Sequence, residues 1–377
     1  MRPTITDWRK PERRREVFHD FYEFHLRHRS HPGCVYYLMP WLRERFGWDA
    51  EQALWFAFLN GNTQNPVTSL LLHDAGSRPS EADACVAFWN AHYKRLGWDT
   101  DRRHHKAAFE RAVASYLGLL GHRTQEEFWK IHAEGGFPSA WVAAEAIESF
   151  GRLSSFSYLE YLRIMGVAVD CDRLFLDDMA GSRSHRNGLC IVTGLDHMDW
   201  HDSNPGFDGV YDRSVLSYLE AEGISLLGEA LVRAAGRPWL RDVSYFTLES
   251  ALCTYKSWHR PNRRYAGVYN DMLYDRIVSA SARWSDDPEG DIRVAQFIEE
   301  TFWAARADCL PAYLRLEDVP GDPGCIPAKQ NHYRETGEVI MLGHEYPIYW
   351  SSFDQAVKEG SLPGAPFRPS PAPGHAR

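Results

Sequence analysis

The 377-residue sequence contains no CxxC pair, although it carries seven cysteines. Cys34, Cys85, Cys171, Cys190, Cys253, Cys309 and Cys325 stand singly and far apart, which excludes a zinc ribbon, a thioredoxin-type motif and a disulfide scaffold. An odd, scattered set of thiols fits a reducing cytoplasm. No GxxxxGK[ST] run occurs, so there is no Walker-type phosphate loop, and no HExxH or facial-triad pattern marks a metal centre. Apolar runs stop well short of the ~18–20 residues of a membrane span. No repeat of fixed period is present. Positive charge is in deficit: 42 Lys and Arg against 51 Asp and Glu give a net charge of −9. That argues against a non-specific nucleic-acid coat, while a local basic groove stays open. The amino-terminal MRPTITDWRKPERRR is charged and precedes no apolar core, so no secretory leader is expected.

Aromatic residues, by contrast, are abundant. Fourteen Trp, 18 Tyr and 19 Phe make up 14% of the chain, enough to fill a large core or to offer stacking faces to bases. Apolar spacing of three and four predicts helices over Arg14–His28, Ala50–Leu59, Val67–His73, Arg103–Leu120, Thr124–Glu134, Pro138–Ser149 and Ser157–Gly166. The same spacing predicts Asp212–Ala235, Tyr245–Trp258, Tyr269–Arg283 and Ile292–Ala304. Ser80 with Asp83 reads as an approximate capping box for a helix running through Tyr93. Strand candidates are few, namely Leu189–Thr193 and Glu338–Leu342. The expected class is mainly α, with one or two short β-hairpins. The expected organisation is a helical domain over 1–310, as one body or two lobes, then a loop and hairpin element over 311–361. A Pro-rich tail fills 362–377.

Three clusters can carry chemistry. The densest is YFTLESALCTYKSWHRPNRRYAGVYNDMLYDR, residues 245–276. Glu249, Cys253 and Lys256 sit at i, i+4 and i+7, one helical face, so a carboxylate, a thiol and an ammonium line one stripe. Lys256 would favour the thiolate of Cys253, and Glu249 would act as a base or as partner of the lysine. Arg260, Arg263 and Arg264 lie in a turn forced by Pro261 and suit a phosphate or pyrophosphate. Tyr269, Asp271 and Asp275 follow, the aspartates spaced to bind those arginines or a Mg²⁺ ion. The alternative is a helical hairpin tied by ion pairs, with Cys253 as a small buried hydrophobe.

In the second cluster, DDMAGSRSHRNG over 177–188, small residues alternate with Arg183, His185 and Arg186. It reads as a phosphate-friendly loop or a solvated basic one. His197, Asp199, His201 and Asp202 just beyond permit a metal site but fit surface turns better. The third cluster is Asn60, Asn62, Gln64 and Asn65 after an aromatic helix. Amides there can read the edge of an extruded base, or can simply form a turn between helices. Basic stretches at 9–15, 27–29, 102–106 and 260–264 form a DNA-binding stripe only if they converge; otherwise they are solvated helix faces.

FTLESALCTYK followed by RRYAGVYND resembles the phage amino acid:DNA transferases, also described as α-glutamyl/putrescinyl-thymine pyrophosphorylases. The matching residues are Glu249, Cys253, Lys256, Arg263, Arg264, Tyr265, Asn270 and Asp271. The resemblance implies a helical domain similar to helix-hairpin-helix DNA glycosylases, acting on base-flipped double-stranded DNA in an infected bacterial cytoplasm. It implies a substrate of pyrophosphorylated hydroxymethyluracil in DNA, whose pyrophosphate is displaced by an amino acid or a polyamine. Glu249, Cys253, Lys256 and Asp271 would then be catalytic. Arg263, Arg264, Tyr265, Tyr269, Asn270, Arg183, His185, Arg186, Asn60 and Gln64 would bind substrate. Arg183 or Arg186 would clamp an amino-acid carboxylate. No cofactor is demanded, Mg²⁺ at Asp271 and Asp275 being the one candidate, and no membrane partner is expected. Two other functions stay open, a glycosylase and a non-catalytic DNA-binding accessory protein. No LPGVGxxTA-like hairpin supports the first, and the acid and thiol beside Lys256 argue against the second.

Overall fold

Helical spacing carries through into structure. A computed structural model describes residues 11–99, 102–177, 183–200, 206–258 and 268–310, and among these there are fourteen α-helices and no strand. They are α1 (Pro11–His28), α2 (Val35–Phe46), α3 (Ala50–Thr63), α4 (Pro66–Ala75), α5 (Ala82–Ala91), α6 (Arg103–Leu120) and α7 (Gln125–Glu134). There follow α8 (Gly136–Glu145), α9 (Arg152–Ile164), α10 (Arg183–Val192), α11 (Arg213–Ala234), α12 (Tyr245–Trp258), α13 (Val268–Ser285) and α14 (Ile292–Cys309). Capping boxes start α3, from Asp49 and Gln52, and α7, from Thr124 and Glu127. Each box satisfies otherwise orphaned amide donors at a helix start. None of the helices among the described residues is long and apolar enough to cross a membrane.

Several local expectations fail for physical reasons. Leu189–Thr193 is no strand: Leu189 to Val192 form the end of α10, where burial on every side outweighs β-branched preference. Helix α3 does not stop at Asn60 but runs to Thr63, and the break falls at Gln64, which takes the left-handed conformation at φ 47°. Ser80 caps nothing: Pro79–Glu81 is a 3-10 turn, and α5 begins at Ala82 without a side-chain cap. Helix α2 escapes the sequence pattern because Pro40 lies inside it. The hairpin element, the Pro-rich tail and Glu338–Leu342 lie outside the described residues.

The chain divides into two compact units. One comprises 33–172 and 273–309. Its core answers the question of the aromatic excess. Phe58 stacks on Tyr116 at 4.3 Å between centroids, and Trp55 and Phe150 stack on Phe58. The Tyr116 hydroxyl accepts from Trp129 Nε1 at 2.9 Å and from Tyr158 at 3.0 Å, and donates to Gln125 Oε1 at 3.1 Å. These rings fill a core and satisfy one another's polar tips.

The other unit takes its described residues from 11–32 and 173–272, with Leu310. Here α10 and α12 pack most closely, flanked by α1 and α11. The approach depends on Gly188. A Cβ at that position would lie 2.1 Å from the carbonyl oxygen of Leu252, so only hydrogen lets α10 sit against the backbone of α12.

Candidate active site

Helix α12 presents its ionisable stripe to α10. Glu249 is 8% exposed, and its Oε1 lies 2.9 Å from Nδ1 of His185, which is fully buried. The approach is close but off the line of a hydrogen bond. His185 Nε2 lies 2.5 Å from the carbonyl oxygen of Leu174 and must donate to it. Nδ1 is therefore the atom left for Glu249. Nδ1 faces the Glu249 carboxylate at 2.9 Å, which places the two side chains as neighbours on the α10–α12 contact.

Two helical turns further along, Lys256 Nζ donates to the Ser184 hydroxyl in the first turn of α10. An ammonium thus stands beside the start of a helix, an end whose dipole favours an anion. Cys253, between Glu249 and Lys256 on the stripe, is a half-buried free thiol. Cys85 and Cys190 differ: both are buried, and burial pushes each thiol up to about 12. Cys253 is accessible in a way those two are not.

The segment read as a phosphate-friendly loop is a buried helix from Arg183 onward. Residues 178–182 of that cluster lie outside the described residues. Arg186 is fully buried, donates to the Leu176 carbonyl at 2.9 Å and covers the Tyr211 ring at 4.6 Å. Arg183 donates to the Trp200 carbonyl at 3.0 Å and stacks over the Trp200 ring at 4.3 Å. Asn187 brackets Trp200, accepting from its amide and donating to its carbonyl. Arg186 is thereby tied into the fold. Arg183, at the start of α10, is the cation nearer to the Lys256 end.

The start of α13 supplies the remaining members. Tyr269 meets the Thr254 hydroxyl of α12 at 3.2 Å, Asn270 donates to Ser30 Oγ at 3.1 Å, and Asp271 is fully buried. Asp275 is half-buried and belongs to the unit of 33–172 and 273–309. Among the described residues no three His, Cys, Asp or Glu side chains are grouped to hold a metal ion. Arg260, Arg263, Arg264, Tyr265, His201 and Asp202 lie outside the described residues. The amide cluster belongs to the unit of 33–172 and 273–309. Asn60 is buried and accepts from Ser69 at 3.1 Å, while Gln64 ends α3. That network braces the turn between α3 and α4. The amino-terminal arginines are neutralised within their own unit: Arg14 pairs with Asp196, Arg15 with Glu222 and Glu229, and Arg29 with Asp242.

Sequence reasoning missed Ser184 as the partner of Lys256 and the coupling of His185 to Glu249. The available signal was polar: a helix whose His, Arg and Asn are all buried is held for a purpose, yet its composition imitates a loop.

A family model described as amino acid:DNA transferase matches residues 35–264. Over 311 residues the chain is 25% identical to a protein named serinyltransferase from Salmonella phage ViI, covering 78% of this chain and 72% of that protein.

Proposed function

The chain belongs to the amino acid:DNA transferase family, and we propose that it displaces pyrophosphate from 5-pyrophosphoryloxymethyl-uracil in DNA with the amine of a small amino acid. The observation that carries the reading is the stripe of α12 against α10. A buried acid coupled to a histidine, a reachable thiol and an anchored ammonium stand within two helical turns.

Roles follow from that geometry. The departing pyrophosphate takes the electron pair of the broken C–O bond. Lys256 and the first turn of α10 receive its negative charge, a role that the sequence pattern alone extends to Arg263 and Arg264. The attacking nitrogen must shed a proton, and Glu249 accepts it while His185 holds the carboxylate in place. Cys253 offers a stepwise route. Its thiolate adds to C6 of the uracil, the resulting enolate expels pyrophosphate, and an exocyclic methylene remains. The amine adds to that methylene, and the new enolate expels the thiolate. A Mg²⁺ ion at Asp271 or Asp275 would take most of its oxygens from water and pyrophosphate, and EDTA sensitivity tests for it.

Serine is the first amine to try, since the phage relative bears the name serinyltransferase. Glycine, glutamate, lysine and putrescine are the competitors. The enzyme would work in the cytoplasm of the infected host. The test is incubation of the protein with pyrophosphate-activated DNA and each amine, followed by nucleoside mass spectrometry. An amine-substituted thymidine with release of pyrophosphate supports the reading. Abasic sites would instead assign a glycosylase, and unchanged DNA with retained binding an accessory protein.

A further inference from the structure

A second group of cations lies in the unit formed by 33–172 and 273–309. Gly97 is clamped by Thr68, whose hydroxyl donates to the Gly97 carbonyl at 2.7 Å and accepts from its amide at 3.1 Å. Two donors from other segments converge on this glycine. A Cβ there would lie 3.1 Å from Arg283 Nη2, on α13, and 3.2 Å from Asn65 Nδ2, the residue capping α4. The Asn65 side chain is oriented by its own oxygen, which accepts from the Thr68 amide at 3.3 Å, and its Nδ2 lies on the Gly97 side together with Arg283 Nη2.

No carboxylate answers these donors among the described residues. Arg283 Nε is buried without a hydrogen-bond partner, and burial alone lowers the guanidinium from its ordinary value. Lys106, on α6, is close enough to Arg283 for the two charges to repel. Lys106 rests on the Leu96 carbonyl at 2.7 Å and over the rings of Tyr93, at 4.4 Å, and Trp98, at 5.7 Å. Nearby acids are engaged elsewhere: Asp287 pairs with Arg95 at 2.9 Å and Asp99 with Arg276. Arg283 and the Asn65 amide meet at Gly97, a second half-buried cation, Lys106, stands close enough to repel Arg283, and no carboxylate among the described residues balances the two charges, an arrangement that is unfavourable until an anion arrives. Surface arginines kept only for solubility or structure find a carboxylate or open water.

We propose that Arg283, Lys106 and Asn65, around Gly97, form a binding site for phosphate oxygens, filled by a backbone phosphate of the DNA substrate. The choice of DNA rests on the family activity; free pyrophosphate shares the chemistry and is the other source. Tyr93, 39% exposed beside Lys106, gives an adjacent sugar or base a flat face.

The experiment uses the full chain and the variants Arg283→Met and Lys106→Met. Removing an uncompensated cation relieves desolvation, so Arg283→Met should keep or raise the urea midpoint, whereas a purely structural arginine would lower it. Affinity for an unmodified fluorescent duplex should fall roughly tenfold or more. The slope of log affinity against log salt should shrink by about one. Thermal stabilisation by inorganic pyrophosphate is measured alongside. Loss of the DNA effects places a backbone phosphate at the site. Loss of pyrophosphate stabilisation alone places free pyrophosphate there. If affinity, salt slope and pyrophosphate stabilisation all stay at wild-type values, the site does not exist. Wild-type transfer activity is recorded in the same series, so failure of the proposed reaction is seen separately from failure of the site.

Discussion

Substituting Gly188 by alanine would push apart the two helices that build the candidate site. The added Cβ would stand 2.1 Å from the Leu252 carbonyl oxygen, 2.7 Å from its carbon and 3.1 Å from its Cα. All three are backbone atoms of α12 and cannot rotate away. Restoring ordinary contact requires α10 to withdraw by about 1 Å, the strain of an overpacked core. The 2.9 Å approach of His185 to Glu249 then widens, and Lys256 loses its hold on Ser184. The expected cost is about 1–3 kcal/mol of stability. A roughly 10²-fold loss of turnover should accompany it, from a misplacement of that size. Gly228→Ala is the control: it lies exposed on α11 with open space around its Cβ, and should stabilise by about 0.5–1 kcal/mol. Urea midpoints by circular dichroism and turnover by mass spectrometry are measured on both. A Gly188→Ala protein with wild-type midpoint and rate would refute the close-packing argument. Loss of stability with full activity would show that His185 and Glu249 need no fixed spacing.

Cys253→Ser should abolish nearly all turnover while DNA affinity is retained, because serine is a far weaker nucleophile at neutral pH; near-normal turnover would leave direct displacement as the route. Glu249→Gln should lose most rate at low pH and be partly rescued at high pH, where the amine needs no base. A pH–rate profile parallel to wild type would move the base elsewhere. His25 is buried, donates through Nδ1 to the Ser30 carbonyl at 2.8 Å, and is held down at about 4 against an ordinary 6.5. The unfolded chain therefore takes up that proton first, so this stability is complete above pH 6.5 and is lost as pH falls toward 4. It amounts to about 3 kcal/mol, and His25→Gln should flatten urea-derived stability against pH by about one proton over that window.

What the sequence alone determined is local. The 14 residues of Tyr245–Trp258 repeat with helical period, and that period by itself sets Glu249, Cys253 and Lys256 on one stripe. The same holds for Arg103–Leu120 and Ile292 onward, where one face is apolar and the other charged. A family-specific run of residues around Cys253 pointed to DNA base modification before any fold was known. Tertiary structure decided the partners. Helix α10 buries its polar residues as well as its apolar ones from His185 to Val192, so polarity does not separate an inner face from a solvated one. Its polar residues therefore imitate a loop and its β-branched ones a strand. Gly188 reads as a helix breaker until the Leu252 carbonyl lies against it. The pairing of His185 with Glu249 spans 64 residues of chain, and Arg283 reaches Gly97 across an even longer separation. Such contacts arise from burial of whole helices against one another, a non-local gain that neighbouring residues do not encode.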